Sequence, residues 1–547
     1  MKMIPASSRP HYLARFGILL VTAALVAGTV NCAPRSQNLE IRTWYDLDAV
    51  RGNLTGSYIL MNDLDSTTAG YEELASARAN EGESWEPIGA GSYSPFTGSL
   101  DGQGYEIHDV FINRLGVGGG AGLFGWVYEG GIIKDIGVVN FTVAGYVPVG
   151  VLVGWNGGSV VDCYCTLGNV TGDSDVGGVV GYSERFVVNS YYNYDQVLIN
   201  GRHVITAGAL FDEGFEEWLA NDRFLDINEK LSQKNGYYVV NNVTDFKELL
   251  AFGQDDTLRF RLMNDLDLAG EPNFYIPYLA GEFDGNGHRI SNLSFSFSFV
   301  SRVGLFGQLA SDGTVHDIAA ESTNITARGH VGGLVGWNEG GVTDSCSTGR
   351  VTGDEYVGGL AGVNDGAVSN SYSTDNVTGE GSVGGLVGLN YLGIVSSSYS
   401  SGSVVGGYVV GGLVGANAGD VRDCYSTGSV TGEDFIGGLA GTNGNGKTVT
   451  NCYSTGSVTC AGHDCLEVGG LITGPGIVRN SFWDTQTSGQ ATSDGGTGKT
   501  TAKMKDIAMF LEASWNIIAV ASPGVRNPSC IWNMVDGETY PFLSWES

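Results

Sequence analysis

Basic residues are scarce in this sequence. Lys and Arg number 28 against 59 Asp and Glu, a formal net charge of −31, and no Lys/Arg cluster exists that could track a phosphate backbone. Nucleic acid is therefore excluded as a partner. Proline is rarer still, with 12 residues, and charged residues make up only 16%, a composition unlike that of an average globular enzyme. After the N-terminus no apolar run is long enough to span a bilayer as a helix. The His residues are scattered and none forms H-E-x-x-H, and there is no G-x-S-x-G elbow, so metallopeptidase and serine-hydrolase chemistry have no residues to carry them. No cofactor is implied. What is abundant is Gly, 86 residues beside 42% hydrophobic residues, with Val, Ile, Leu and Tyr spread throughout. Such a chain can bury enough apolar surface to offset its entropy, so its Gly content has a structural purpose.

The start of the chain points to export. Lys2, Arg9 and Arg15 precede the apolar run "FGILLVTAALVAGTV", Phe16 to Val30, which reads as a secretory signal over residues 1–32. Cys32 is a candidate for lipidation, although Thr29, Val30 and Asn31 depart from a lipobox; cleavage near Ala27 or Cys32 is the plain alternative. A lipid there would be the chain's one tie to a membrane. Eight Cys follow Cys32, an even number that permits disulfides in an oxidising compartment. "CAGHDC" places Cys460 and Cys465 where a bridge would close a short insertion; the alternative is a metal site with His463, which lacks a second ligand pair. Cys163, Cys424 and Cys452 stand where sister repeats have Ser and read as small core residues.

The repeats dominate. Val-Gly-Gly-Leu or its Ile variant begins at 331, 357, 383, 410, 436 and 468, steps of 26, 26, 27, 26 and 32, with the long step holding "CAGHDC". A more divergent set sits at Leu152 and Val179. Within Val410 to Phe435 three short β-type runs, "GLVG", "VRDCYS" and "SVTG", are separated by turn residues, and none is long enough for a helix. The order repeats unchanged, which predicts an all-β fold: a parallel β-helix, expected to be right-handed, whose coils stack about 4.8 Å apart. Gly is expected at corners, for positive φ and close approach. Leu334, Leu360, Leu386, Leu413 and Leu439 form an inward column. Asn338, Asn364, Asn390, Asn417 and Asn443 form a structural ladder of amides. Tyr372, Tyr399, Tyr425 and Tyr453, continued by Phe482, form an aromatic column whose direction, inward or outward, alternation does not decide.

A longer duplication divides the chain. "TWYDLDAVRG" at Thr43 matches "TDFKELLAFG" at Thr244, each reading as a short capping helix, and "NDLD", "LDGQG"/"FDGNG" and "GLFG" recur in both halves. Residues 36–200 are read as a first capped β-helix segment and 201–243 as a helical connector. Residues 244–483 are the second β-helix segment, and 484–547 a C-terminal cap over the last coil.

Several motifs invite chemistry. "SDGGTGKT" looks like a phosphate loop, but Ser493 stands where its first Gly belongs and no apolar strand precedes it, so a turn with Lys499 exposed is expected. Asp101 and Asp284 are candidate carboxylates for polysaccharide cleavage, against the reading of a repeated Asp-Gly corner. Asp63 with Asp65, and Asp265 with Asp267, are candidate calcium ligands without the spacing of a calcium loop. Sequons such as Asn140, Asn242 and Asn376 would accept glycans in a host with the machinery.

At "VGGLVGWNEGGV", "VGGLAGVNDGAV" and "VGGLVGANAGDV" the sequence closely resembles the GLUG motif family, over 331–480 and more loosely over 121–182. The resemblance implies an exported, β-helical surface protein. GLUG repeats also form a non-catalytic part of IgA-cleaving metallopeptidases, whose zinc motif this chain lacks. The expectation is a secreted or cell-surface adhesion or ligand-presenting scaffold, not an enzyme, that meets an extracellular glycan or protein; the alternative is a β-helix polysaccharide hydrolase or lyase. No catalytic, cofactor-binding or metal residue is assigned.

Overall fold

A computed structural model describes residues 38–116, 118–185, 187–462 and 465–546; the signal-like segment with Cys32, and His463, lie outside them. The described chain is a parallel β-solenoid of about 14 turns. Among the described residues no helix is long and apolar enough to cross a membrane.

The coil is finer than its sequence suggests. Between Val409 and Gly432 it holds five short strands, Val409–Gly411, Val414–Asn417, Asp420–Arg422, Tyr425–Ser426 and Val430–Gly432. They belong to four stacks, since the last two share one sheet. Each strand pairs in parallel with its copy in the next coil, and identical residues meet, as in Asn364↔Asn390↔Asn417 and Tyr399↔Tyr425↔Tyr453.

Two expectations about the bends need correcting. "VRDCYS" is not one strand: Asp423 has φ +54° and turns the chain between two sheets. The same corner is occupied by Asp344, Asn370, Ser397, Asn451 and Asn480, with φ between +47° and +53°. Asp and Asn tolerate this left-handed conformation because their short polar side chains bond locally, so the bends do not require Gly. The motif glycines serve the other purpose expected of them, close approach. A Cβ on Gly385 would lie 2.1 Å from the Gly412 carbonyl oxygen, and one on Gly412 would lie 2.2 Å from that of Gly438. Gly is used there because neighbouring backbones touch.

Both halves open with a capped helix over the first coil. Thr43 and Asp46 form a capping box for Trp44–Asp48. In the second half the cap of Val243–Lys247 is Asn242, which accepts from the Asp245 N–H, so the motif starts two residues before Thr244.

Between the halves, Asp212–Ala220 is a helix that lies on the first solenoid, Trp218 meeting Tyr191 at 5.1 Å between ring centroids and bonding Asn189 Oδ1 at 2.8 Å. Tyr237–Val240 already pairs with Arg259–Leu262 as the first rung of the second solenoid. Among the described residues no sheet contains strands of both halves. The helix Leu249–Phe252, all buried, fills the break, and a single apolar core runs through it.

After the last coil the chain does two things. Thr497–Lys499 adds a strand beside Phe482–Asp484, pairing Asp484 with Lys499. Lys499 is half-buried with its Nζ 5.9 Å from the Phe482 ring centre, not free on a turn as expected. The remainder folds back along the outside of the solenoid instead of only covering its end: Trp545 donates its Nε1–H to the Ser397 carbonyl, 3.0 Å away.

Candidate functional surface

The ladders sort into inside and outside. Asn338 donates to Asn364 at 2.7 Å, and the series continues through Asn390, Asn417 and Asn443 at 2.8 Å each, every member 0–2% exposed. From Asn364 onward each buried amide oxygen accepts from the rung before it, in a place where an unpaired amide would cost about 1–3 kcal/mol; only Asn338 Oδ1, at the start of the ladder, has no donor among the described residues. Leu334, Leu360, Leu386, Leu413 and Leu439 are fully buried in the same core. The tyrosines face outward. Tyr372, Tyr399, Tyr425 and Tyr453 stack at 4.9, 4.9 and 5.0 Å with ring planes within 7°. The returning C-terminal segment covers them with Trp545, Trp532, Trp515 and Tyr540. Phe482 extends the column beneath Phe510 and Trp515.

The candidate acids do not converge. Asp101 lies 2.8 Å from Lys134 Nζ and accepts the Gln103 N–H of its own turn. Asp284, in the other half, has Arg261 Nε and Nη2 at 2.7 Å from Oδ2 and the Asn286 N–H at 2.7 Å from Oδ1. Asp63 accepts from the Glu106 N–H and Asp65 from Thr67 and Thr68. Asp265 faces His288 and Arg289, whose hydrogen bonds, Arg289's first, hold it down at about 2; Asp267 accepts from Asn292 and the Ala269 N–H. Each carboxylate is thus a turn or rung acceptor with its own partners.

One cluster stands out that sequence spacing did not show. Parallel register aligns Arg261, Asp284 and His316 across three rungs. Asp284, His316 and Asp317 offer ligand atoms within 4.8 Å of one another, a set that could hold a cation. His316 lies 2.9 Å from Asp317 and 3.2 Å from Glu282. Burial opposes charge on Glu282, yet hydrogen bonds from Arg259, Tyr237 and His316 hold it down at about 2; burial likewise opposes charge on His316, and Asp317 and Glu282 raise its pKa regardless. The guanidinium groups already supply the positive charge that these acids need.

The cysteines follow two roles. Cys460 and Cys465 form a disulfide with a Cα–Cα distance of 6.1 Å. Cys163, Cys424 and Cys452 are buried with Sγ 3.0–3.2 Å from the carbonyl two residues earlier, the carbonyl that Ser345, Ser371 and Ser398 reach at 2.7 Å in their coils.

At the junction of the halves, Arg302 lies between the rings of Tyr182 and Trp337, 4.1 and 4.7 Å from their centres, and reaches the Ser183 carbonyl and Gln308. His330 stacks on Trp337 at 5.2 Å, and burial with Arg302 nearby lowers its pKa to about 3, so the imidazole is neutral. A small cleft opens beside this clamp, lined among others by Asp175, Arg185, Thr206 and Gln254.

Stacked coils and in-register ladders define a β-solenoid repeat protein. Two of its coils, residues 353–378 and 406–431, match the GLUG motif, so the chain carries GLUG repeats. Over 109 residues it is 36% identical to "Halomucin" of Haloquadratum walsbyi, covering 20% of this chain and 1% of that one. Over 133 residues it is 35% identical to a "Putative Gly-rich membrane protein" of Evansella cellulosilytica, covering 23% of this chain and 14% of that one. The chain therefore spans a small part of both curated relatives. A crystal structure of a "putative immunoglobulin A1 protease" from Bacteroides ovatus aligns with 58% of this chain and 96% of that one, at 17% identity and a TM-score of 0.37.

Proposed function

We propose that this chain is an exported, surface-displayed scaffold that presents its solenoid faces to an extracellular glycan or protein without transforming it. The observation that carries the reading is how the acids are held: Asp101 with Lys134 and Asp284 with Arg261 sit in different halves and cannot flank one glycosidic bond as hydrolysis requires, and the acids that do meet Asp284 are already engaged, Glu282 by Arg259 and His316, and Asp317 by His316. Placement outside the cell is supported by the basic start and apolar run of residues 1–32, and by the names of two relatives, "Halomucin" and a "Putative Gly-rich membrane protein".

The test uses the purified mature protein. It is expected to be retained on intact cells or immobilised polysaccharide while releasing no new reducing ends or unsaturated products. Product release that disappears in Asp284→Asn would establish the competing reading, a carbohydrate-active enzyme working through the cluster of Asp284, His316 and Asp317.

A further inference from the structure

The outer tyrosine column ends on an open step. From Phe482 back to Tyr372 every rung carries a ring. The next two rungs in the same register are Cys346 and Ala319, and only then comes Arg289. Two rungs without a large side chain leave a gap of roughly 10 Å along the stack. An open surface depression lies there, lined by Tyr372, Trp545, Asp317, Asp344, Asn370 and His288 among others. Trp545 forms its wall and is fixed independently of anything in the cleft, by stacking on Tyr399 at 5.9 Å and by its bond to the Ser397 carbonyl.

The first half shows what a closed step looks like. There Tyr164 lies so tightly over Gly137 that a Cβ would sit 2.4 Å from the ring, its hydroxyl meets Glu106, and Arg223 lies over the ring at 5.2 Å. In the second half the rung beyond Tyr372 is the buried Cys346, and among the described residues this rung and the two before it in the same register carry no ring.

The lining selects a class of ligand. Tyr372 and Trp545 supply aromatic surface; Asp317 and Asp344 are exposed acceptors, and Asn370 offers both donor and acceptor. Among the described residues no Lys or Arg lines the cleft, which disfavours an anion, and a purely apolar ring would desolvate two carboxylates without replacing their hydrogen bonds. A pyranose meets both demands, with an apolar C–H face for the ring and a rim of hydroxyls for the acids. We propose that the step beyond Tyr372 is a binding subsite for a neutral saccharide, stacked on Tyr372 beside Trp545 with hydroxyls donating to Asp317 and Asp344. This rests on the scaffold reading above and names the ligand class it presents.

The test is calorimetric titration of the mature protein with cellohexaose, maltohexaose, xylohexaose and chitohexaose, with spermine as the cationic alternative. At least one saccharide is expected to bind saturably, and Tyr372→Ala to weaken it by about tenfold or more. Because that variant also disturbs the ladder, Cys346→Tyr is the sharper probe: it adds the missing rung, retains the native circular dichroism and thermal midpoint, and removes binding. Undiminished saccharide binding by folded Cys346→Tyr, binding of spermine alone, or no saccharide binding at all would overturn the subsite. Retention of the wild type on cells separates the two ideas: if it persists when the subsite fails, the scaffold reading stands alone, and if it is absent both fall.

Discussion

Asp375 occupies a position that is Gly349 and Gly402 in the neighbouring coils, and there is little room for it: a Cβ on Gly402 would lie 1.8 Å from the Asp375 carbonyl. Its carboxylate is fully buried, accepting from Thr323 Oγ1 at 3.0 Å and Ser373 Oγ at 3.1 Å. Burial outweighs these hydrogen bonds and pushes its pKa up to about 6. The folded state therefore holds a proton that the unfolded chain releases nearer 3.8, so stability declines as pH rises from about 4 to about 6 and then levels. Asp375→Asn, which keeps shape and removes charge, is expected to stabilise the protein at neutral pH by about 3 kcal/mol and to change little near pH 4. Denaturant unfolding at the two pH values checks this; an equal effect at both would mean that the side chain is neutral throughout or solvated.

At the scale of the strand, the Val-Gly-Gly-Leu segment decides how closely coils approach. Gly385→Ala drives a Cβ against the rigid Gly412 carbonyl and is expected to cost about 3 kcal/mol or more, while Gly381→Ala, whose nearest neighbours are 3.4 Å away, should be neutral or slightly stabilising. Thermal melts of the two variants distinguish close contact from a general need for Gly. These elements also show how far the sequence can be read. The period, the Asn ladder and the inward Leu column follow from spacing, because stacking copies each residue onto itself. The split of "VRDCYS" at Asp423 did not, since apolar alternation looks the same on both sides of a left-handed corner; the recurrent Asp or Asn at that place was the available signal. The direction of the tyrosines was illegible for a different reason. Their cover, Trp545, joins Tyr399 from almost 150 positions away, a contact no local pattern encodes. The same holds for Arg302 between Tyr182 and Trp337, and for the convergence of Asp284, His316 and Asp317.

The whole molecule repeats one plan. In each half a capped helix opens the solenoid, and a helical segment that follows the coils returns over an outward tyrosine column, Asp212–Ala220 over Tyr164 and Tyr191, and residues 501–546 over Tyr372 to Tyr453. Among the described residues the halves share a core yet no sheet, so the Arg302 clamp and the Leu249–Phe252 helix take over where strand pairing stops. Everything proposed about its faces depends on the coils advancing in strict register. Spin labels on one outer column test that directly: Thr314, Ile394 and Ile477 are exposed and lie three and six rungs apart along Thr314↔Gly341↔Ala367↔Ile394↔Asp420↔Thr448↔Ile477. Double electron–electron resonance between labels at 314 and 394, and between 314 and 477, should give mean distances near 14 and 29 Å, in the ratio of the rung counts. Distances that fail to scale with the number of coils would contradict the solenoid and every surface built on it.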